Sequence, residues 1–157
     1  MAKKNKKDSD RFKEIRNSKV HRDYFVEKTF EAGIVLTGTE IKSVRTHGAN
    51  ISDGFCRIGK GKVTLYHAHI KEYAFGTDAN HEPYRPRQLL LNKKEIDELV
   101  QTLQSGGRAL VPTRMYFKKA LLKCEIAVCI GKKNYDKRED MKKKDATRDM
   151  ERAYKYK

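Results

Sequence analysis

From Leu122 to Ile130 every second side chain is apolar, namely Leu122, Cys124, Ile126, Val128 and Ile130, while Lys123 and Glu125 fall between them. Side chains alternate across a strand, so the run 121–130 predicts a half-buried β-strand that holds Lys123 out in solvent. A strand with one apolar face needs neighbours along its edges and a layer over that face. The extended run 109–117 just before it supplies the first neighbour.

Upstream, residues 23–36 (DYFVEKTFEAGIVL) are rich in aromatic and β-branched side chains and predict a long strand, with Gly33 marking a bulge or bend. Thr37 and Glu40 have capping-box spacing, Ile41 and Val44 share a helical face, and Gly48 follows as a stop, which predicts a short helix. Residues 55–58 and 63–73 flank Gly59-Lys60-Gly61-Lys62 and predict a hairpin. Residues 73–88 carry Gly76, Asn80, Pro83 and Pro86 without a period, and read as a long loop. Asn92 and Glu95 open a helix on which Ile96, Leu99, Val100 and Leu103 form one stripe, and Gly106-Gly107 ends it. The order strand, helix, strand, strand, helix, strand, strand lacks βαβ alternation. It predicts a mainly β fold, an OB-like antiparallel β-barrel with two to three packed helices.

Charge divides the chain into three. Lys and Arg number 36 against 21 Asp and Glu, and the net charge of +15 splits into +6 over residues 1–22, +4 over 23–130 and +5 over 131–157. The reading is a basic N-terminal arm (1–22), a globular body (23–130) and a basic C-terminal tail (131–157). Met141, Met150 and Tyr154 are too few large apolar side chains to offset about 1–2 kcal/mol of entropy per ordered residue. The tail is therefore expected to be disordered alone. The pairs Glu139/Lys143, Asp140/Lys144 and Glu151/Lys155 favour a helix once a partner is met. A charge of this sign selects polyanionic partners, nucleic acid first. Cys56, Cys124 and Cys129 form no CxxC pair, which fits a reducing cytoplasm, and neither a membrane span nor a signal peptide is visible. The chain is expected to be a monomer.

Catalytic and metal-binding patterns are weak. His67 and His69 fall on one face of a strand, with His81 or Cys56 as a possible third ligand, but no CxxC or HExxH spacing supports them. They read as surface or packing histidines, and neither a metal nor another cofactor is expected. The chain has no GxSxG elbow and no GxxxxGK[ST] phosphate loop. EPYRPR, by contrast, sets Arg85 and Arg87 around Tyr84 and two prolines, a pattern suited to clamping phosphate and stacking on a base.

Three strings carry a resemblance: NSKVHRDYFVEKTFEAGIVLTGTEIKSVRTHGANISDGF (17–55), RPRQLLLNKKEIDEL (85–99) and GKKNYDKRED (131–140). Together they resemble the SsrA-binding protein family, also called small protein B, over nearly the whole chain. The resemblance implies an OB-type barrel that binds the tRNA-like part of tmRNA without catalysis. It also implies delivery of that RNA to stalled ribosomes, with the tail folding in the empty mRNA channel beyond the decoding centre. Elongation factor Tu and alanyl-tRNA synthetase become partners only through the same RNA. By position, the resemblance assigns Asn17, Lys19, Arg22, Glu31, Lys42, Arg45, Arg85, Arg87, Asn92 and Lys123 to the RNA-facing surface. It assigns Lys132, Lys133, Tyr135, Asp136, Lys137 and Arg138 to the ribosome-facing tail. Arg22 and Tyr135 stand where the family commonly has His, EPYRPRQ replaces a more basic string, and the tail has no tryptophan. Two other readings stay open: a general single-strand-binding or ribosome-associated OB protein, and a metal-dependent nuclease using His67 and His69.

Overall fold

The computed structural model describes residues 12–156. Their order is β1 (Ile15–Arg16), α1 (Val20–Asp23), β2 (Tyr24–Ile34), α2 (Gly38–His47), β3 (Phe55–Gly59), β4 (Lys62–Tyr66), β5 (Arg87–Leu90), α3 (Lys93–Gln104), β6 (Arg108–Lys118), β7 (Leu121–Gly131) and α4 (Asn134–Lys155). Strand neighbours run β1-β6-β3-β4-β5-β2-β7, and an additional β6–β7 pairing closes β2 to β7 into a ring. Every pairing is antiparallel. The long strands make the ring possible: β2 pairs β7 from Tyr24↔Gly131 to Gly33↔Lys123, then passes to β5 through Gly33↔Leu90 and Ile34↔Leu89.

The interior collects the inward alternation of each strand, including Phe30, Leu65, Leu89, Leu110, Met115 and Ile126, with Val44 from α2 and Leu99 from α3. Full burial of such a side chain contributes roughly 1.5–3 kcal/mol. Alternation along β7 holds for Leu122, Cys124, Ile126 and Val128 but fails at its end. There Ala127 and Cys129 are also buried, in a second cluster with Val20 and Val111, whereas Ile130 is exposed. α1 provides the cover, through Val20 at 1% exposure.

Both capping boxes form, Thr37 with Glu40 on α2 and Asn92 with Glu95 on α3. The β3–β4 turn has Lys60 and Gly61 at φ 51° and 69°, the paired positive values of the turn that matches strand twist. The irregularity in β2 falls between Val26 and Lys28 rather than at Gly33. β4 is shorter than the run 63–73 because His67, at φ 56°, turns the chain out of the strand, and β5 emerges from the end of the expected loop.

The expected basic arm lies partly outside the described residues, which begin at Phe12. From there the chain is docked: Phe12 packs on Phe117 with ring centroids 4.8 Å apart, and Ile15 pairs with Met115. Residues 12–22 belong to the body because Phe12, Ile15 and Val20 each find an apolar site there. The tail departs from the expected disorder: α4 is a 22-residue helix, yet none of its residues is buried. The shortage of apolar burial is real. An Asp136 cap at the N-terminus and ties at the helix root hold it instead.

Candidate nucleic-acid interface

Three elements distant in sequence converge on one open cleft of about 410 Å³. β2 brings Glu31 and Gly33, the segment entering α3 brings Leu90, Leu91, Asn92 and Glu95, and β7 brings Lys123. The register explains the meeting, since Gly33 pairs with both Leu90 and Lys123, and Lys123 pairs onward with Tyr116. Glu31 accepts hydrogen bonds from the Tyr116 hydroxyl and from Lys118 Nζ at 3.1 Å. These donors, with the charges of Lys118 and Lys123, hold its carboxyl below the ordinary value. Burial and the adjacent Glu31 push the Tyr116 phenol up to about 12. The cleft thus presents an ionised, oriented carboxylate beside an ammonium, a directional acceptor next to a phosphate-sized charge. Asn92 caps α3 and its backbone N–H donates to Glu95 at 3.0 Å. The cap uses its side-chain oxygen, which leaves the amide as a donor facing other partners.

A second cleft of about 390 Å³ gathers Asn17, Lys19 and Arg22 with Asp23, Ser52, Asp53 and Phe55. Lys19 pairs with Asp53 at 2.7 Å and Arg22 with Asp23 at 3.1 Å, all on the surface. Asn17 is different, being 5% exposed. Its amide donates to the carbonyls of Pro112 at 3.0 Å and Ile51 at 3.2 Å, and its oxygen accepts from the Lys19 N–H at 3.1 Å. Asn17 builds the wall of this cleft and offers nothing to a ligand. Lys42 and Arg45 of α2 stand outside both clefts, Lys42 over the Tyr73 ring at 5.7 Å and Arg45 over Phe12 and Phe117 at 5.7 and 5.8 Å.

Arg87 corrects the reading of EPYRPR. It is fully buried: Nε donates to Glu40 Oε1 at 2.8 Å, Nη1 to the Ala68 carbonyl at 2.6 Å and Nη2 to the Pro83 carbonyl at 3.1 Å. With each of its three nitrogens bonded inside the fold and no surface exposed, it cannot clamp an external phosphate. Arg85, a third exposed, donates to the other Glu40 oxygen at 2.8 Å. Burial pushes the Glu40 carboxyl up, but Arg85, the Thr37 N–H and Arg87 outweigh it and hold the group below its ordinary value.

Tail residues split in the same way. The Lys132 ammonium, 8% exposed, reaches Asp140 at 2.5 Å and the His21 carbonyl at 2.8 Å, and lies 4.7 Å from the Phe25 ring centroid. Lys137 reaches Asp23 at 3.5 Å, and Asp136 accepts from the Lys133 N–H at 3.3 Å. Lys132, Asp136 and Lys137 therefore root and cap α4, whereas Lys133, Tyr135 and Arg138 are exposed. His67 packs on Phe55 and His69 on Tyr84, while buried His81 bonds Thr39 at 3.0 Å and the Ile70 carbonyl at 3.1 Å. Among the described residues no group of three His, Cys, Asp or Glu is placed to hold a metal, and no helix is long and apolar enough to cross a membrane. Sequence reasoning missed Tyr116 and Lys118. Their signal was the outward alternation Arg114, Tyr116, Lys118 along β6.

Fold and clefts define a class: small, basic, mainly antiparallel β proteins with four helices, whose cationic and polar side chains converge on open surface clefts. Within that class, the chain belongs to the SmpB protein family, whose model matches residues 14–156. It is 54% identical over 139 residues to the SsrA-binding protein of Shouchella clausii, covering 88% of this chain and 89% of that one. The SsrA-binding protein of Desulfitobacterium hafniense is 51% identical over 138 residues, covering 88% of each chain. A solved chain described under "tmRNA-SmpB: a journey to the center of the bacterial ribosome" superposes with a TM-score of 0.65 at 35% identity, covering 77% of this chain and 85% of that one.

Proposed function

We propose that this protein binds the tRNA-like domain of tmRNA and delivers it to stalled ribosomes for trans-translation, acting by binding and not by catalysis. The observation that carries the reading is the cleft in which Glu31, Asn92 and Lys123 meet from three separate elements. Lys123 neutralises a phosphate, and Glu31 and the Asn92 amide select a base edge or a 2′-hydroxyl, a division between positioning and reading that suits a folded RNA. The closed ring of strands is an OB-like barrel in this reading. Lys133, just before α4, and Tyr135 and Arg138 on its exposed first turns meet the ribosome at the decoding centre, and the rest of the helix follows the empty mRNA channel. Elongation factor Tu and alanyl-tRNA synthetase act on the same RNA without touching this chain, which works as a cytoplasmic monomer.

Names borne by the relatives and the solved neighbour support the reading. The test is to sequence RNA that co-purifies with the tagged protein and with its Lys123→Ala variant. Strong enrichment of one tmRNA, lost in the variant, is expected. A broad RNA profile unchanged by the substitution would instead mark a general RNA binder.

A further inference from the structure

β7 runs between β2 and β6, with Glu31 directly opposite Glu125 on one side and Tyr116 directly opposite Lys123 on the other. Direct cross-strand partners share a face, as do residues two apart on one strand, so all four side chains stand on the same outer surface. Two carboxylates directly opposite repel, and each is answered from β6. Arg114 donates to Glu125, while the Tyr116 hydroxyl reaches over β7 to Glu31 and Lys118 Nζ donates to both Glu31 oxygens at 3.1 and 3.3 Å. Lys123 is the diagonal neighbour of Glu31, a separation that long side chains can span. Its charge bears on the Glu31 carboxyl, yet Glu31 pairs with Lys118, and Lys123 forms no ion pair among the described residues. The Tyr116 ring is half-buried and covered by the Arg114 guanidinium, 5.0 Å from its centroid, which Glu125 and Glu14, the latter at 2.9 Å, hold in turn. With its phenol pushed up, Tyr116 keeps its proton at neutral pH and donates it to the carboxylate. The Lys118–Glu31 pair is exposed and holds the carboxylate only weakly.

We propose that Tyr116 is a positioning residue for RNA binding: its hydroxyl, reaching over β7, holds Glu31 away from Lys123 so that carboxylate and ammonium stay separately available to the RNA. The inference rests on the reading of Lys123 as a phosphate contact and gives Tyr116 no contact with RNA of its own. Without the hydroxyl, the cations left to Glu31 are exposed Lys118 and diagonal Lys123, and the carboxylate moves between them. A carboxylate paired with Lys123 cancels the charge that a phosphate would meet, and the pairing occupies the acceptor that would read a base edge or a 2′-hydroxyl. Tyr116 therefore governs the Lys123 contact through Glu31, and its effect disappears once position 31 carries no charge.

Tyr116→Phe deletes one oxygen and keeps the ring that Arg114 covers, so the full-length variant folds. Two measurements test the proposal, one of them without RNA. A carbodiimide joins a carboxylate to an amine in contact with it, and mass spectrometry of the digested protein locates the new amide. In the wild type the Glu31–Lys118 link dominates; in Tyr116→Phe a Glu31–Lys123 link rises to match it. The second measurement is the salt dependence of tmRNA binding. Tyr116→Phe lowers the log–log slope by up to about 0.7–0.9, one phosphate contact, although Lys123 is still present. Adding Glu31→Gln to Tyr116→Phe restores the slope, because a neutral amide leaves Lys123 to the phosphate. A direct contact between Tyr116 and the RNA, or a merely structural role, predicts no such rescue. An unchanged ratio of the two cross-links, or a slope that stays lowered in the double variant, overturns the proposal. If Lys123→Ala itself leaves the slope unchanged, the reading of the cleft fails, and the cross-links still decide whether Tyr116 holds Glu31 off Lys123.

Discussion

Glu40→Gln isolates the buried carboxylate that joins α2 to the segment before β5. Glu40 and Arg87 are both fully buried, and the substitution removes the one carboxylate bonded to Arg87 among the described residues while keeping the side-chain volume. Breaking a buried pair by neutralising one partner costs roughly 3–5 kcal/mol. The Ala68 and Pro83 carbonyls still accept from Arg87, so the lower end applies, about 3 kcal/mol. In a chain of this size that lowers Tm by about 6–12 °C. Arg85→Ala, at a partly exposed position, costs below about 1 kcal/mol. Glu40→Leu with Arg87→Met recovers much of the loss, because a well-packed apolar pair replaces a buried ion pair at little cost. Urea unfolding of these variants gives the differences. The pH dependence has a definite sign. The folded-state pKa of Glu40 is depressed, so its contribution is complete above the ordinary carboxylate range and is lost as pH falls through the folded value. The stability gap between wild type and Glu40→Gln therefore narrows on acidification. A Glu40→Gln protein as stable as wild type at neutral pH, or a gap that widens in acid, refutes the assignment.

Other consequences are open to direct measurement. Lys123→Ala lowers the log–log salt slope of tmRNA binding by about 0.7–0.9, one phosphate contact, whereas Arg87→Ala leaves the slope unchanged in whatever fraction stays folded. Glu31→Gln weakens tmRNA binding with little change in slope, and it lowers the Tyr116 pKa from about 12, which ultraviolet titration detects. Removing residues 131–157 preserves tmRNA affinity and abolishes peptide transfer to tmRNA in reconstituted translation on a message without a stop codon; normal transfer would sink the proposed role of the tail. Lys132→Ala removes the ammonium that ties Asp140 of α4 to the His21 carbonyl, and hydrogen exchange accelerates across the first turns of the helix while the strands stay protected.

Local signals in the sequence were reliable where their partners were also local. Thr37/Glu40 and Asn92/Glu95 are spaced to cap helices, and Lys60-Gly61 can take the paired positive φ of a tight hairpin, so these elements appear where the spacing puts them. Arg87 shows the limit. Alternation with proline and Tyr84 suggested a surface clamp, but its burial depends on Glu40, 47 residues earlier, whose capping spacing reports only half of its role. The short strands β1 and β5 leave too few residues for a period, and Val20 signals nothing until α1 is seen closing the second apolar cluster. Of the proposed RNA-facing residues, Glu31, Asn92 and Lys123 share a cleft because three strands keep register through Gly33, a coincidence that spacing along one chain does not encode.

β7 links the cleft to the tail as one continuous strand whose partners, not itself, carry the bulges, between Val26 and Lys28 on β2 and between Pro112 and Arg114 on β6: Lys123 sits near its start, and Lys132 follows its last residue, Gly131. At about 3.3 Å per residue the two lysines are roughly 30 Å apart along the strand, and α4, at about 1.5 Å per residue, extends roughly 33 Å further. The strand acts as a ruler between the point proposed to grip RNA and the point from which α4 departs. Its length is set by covalent geometry, so temperature and salt leave it unchanged. Deleting one residue from β7 would both shorten the ruler and turn Lys123 to the opposite face. A loop in that position would have tolerated the same deletion, and this strand would not.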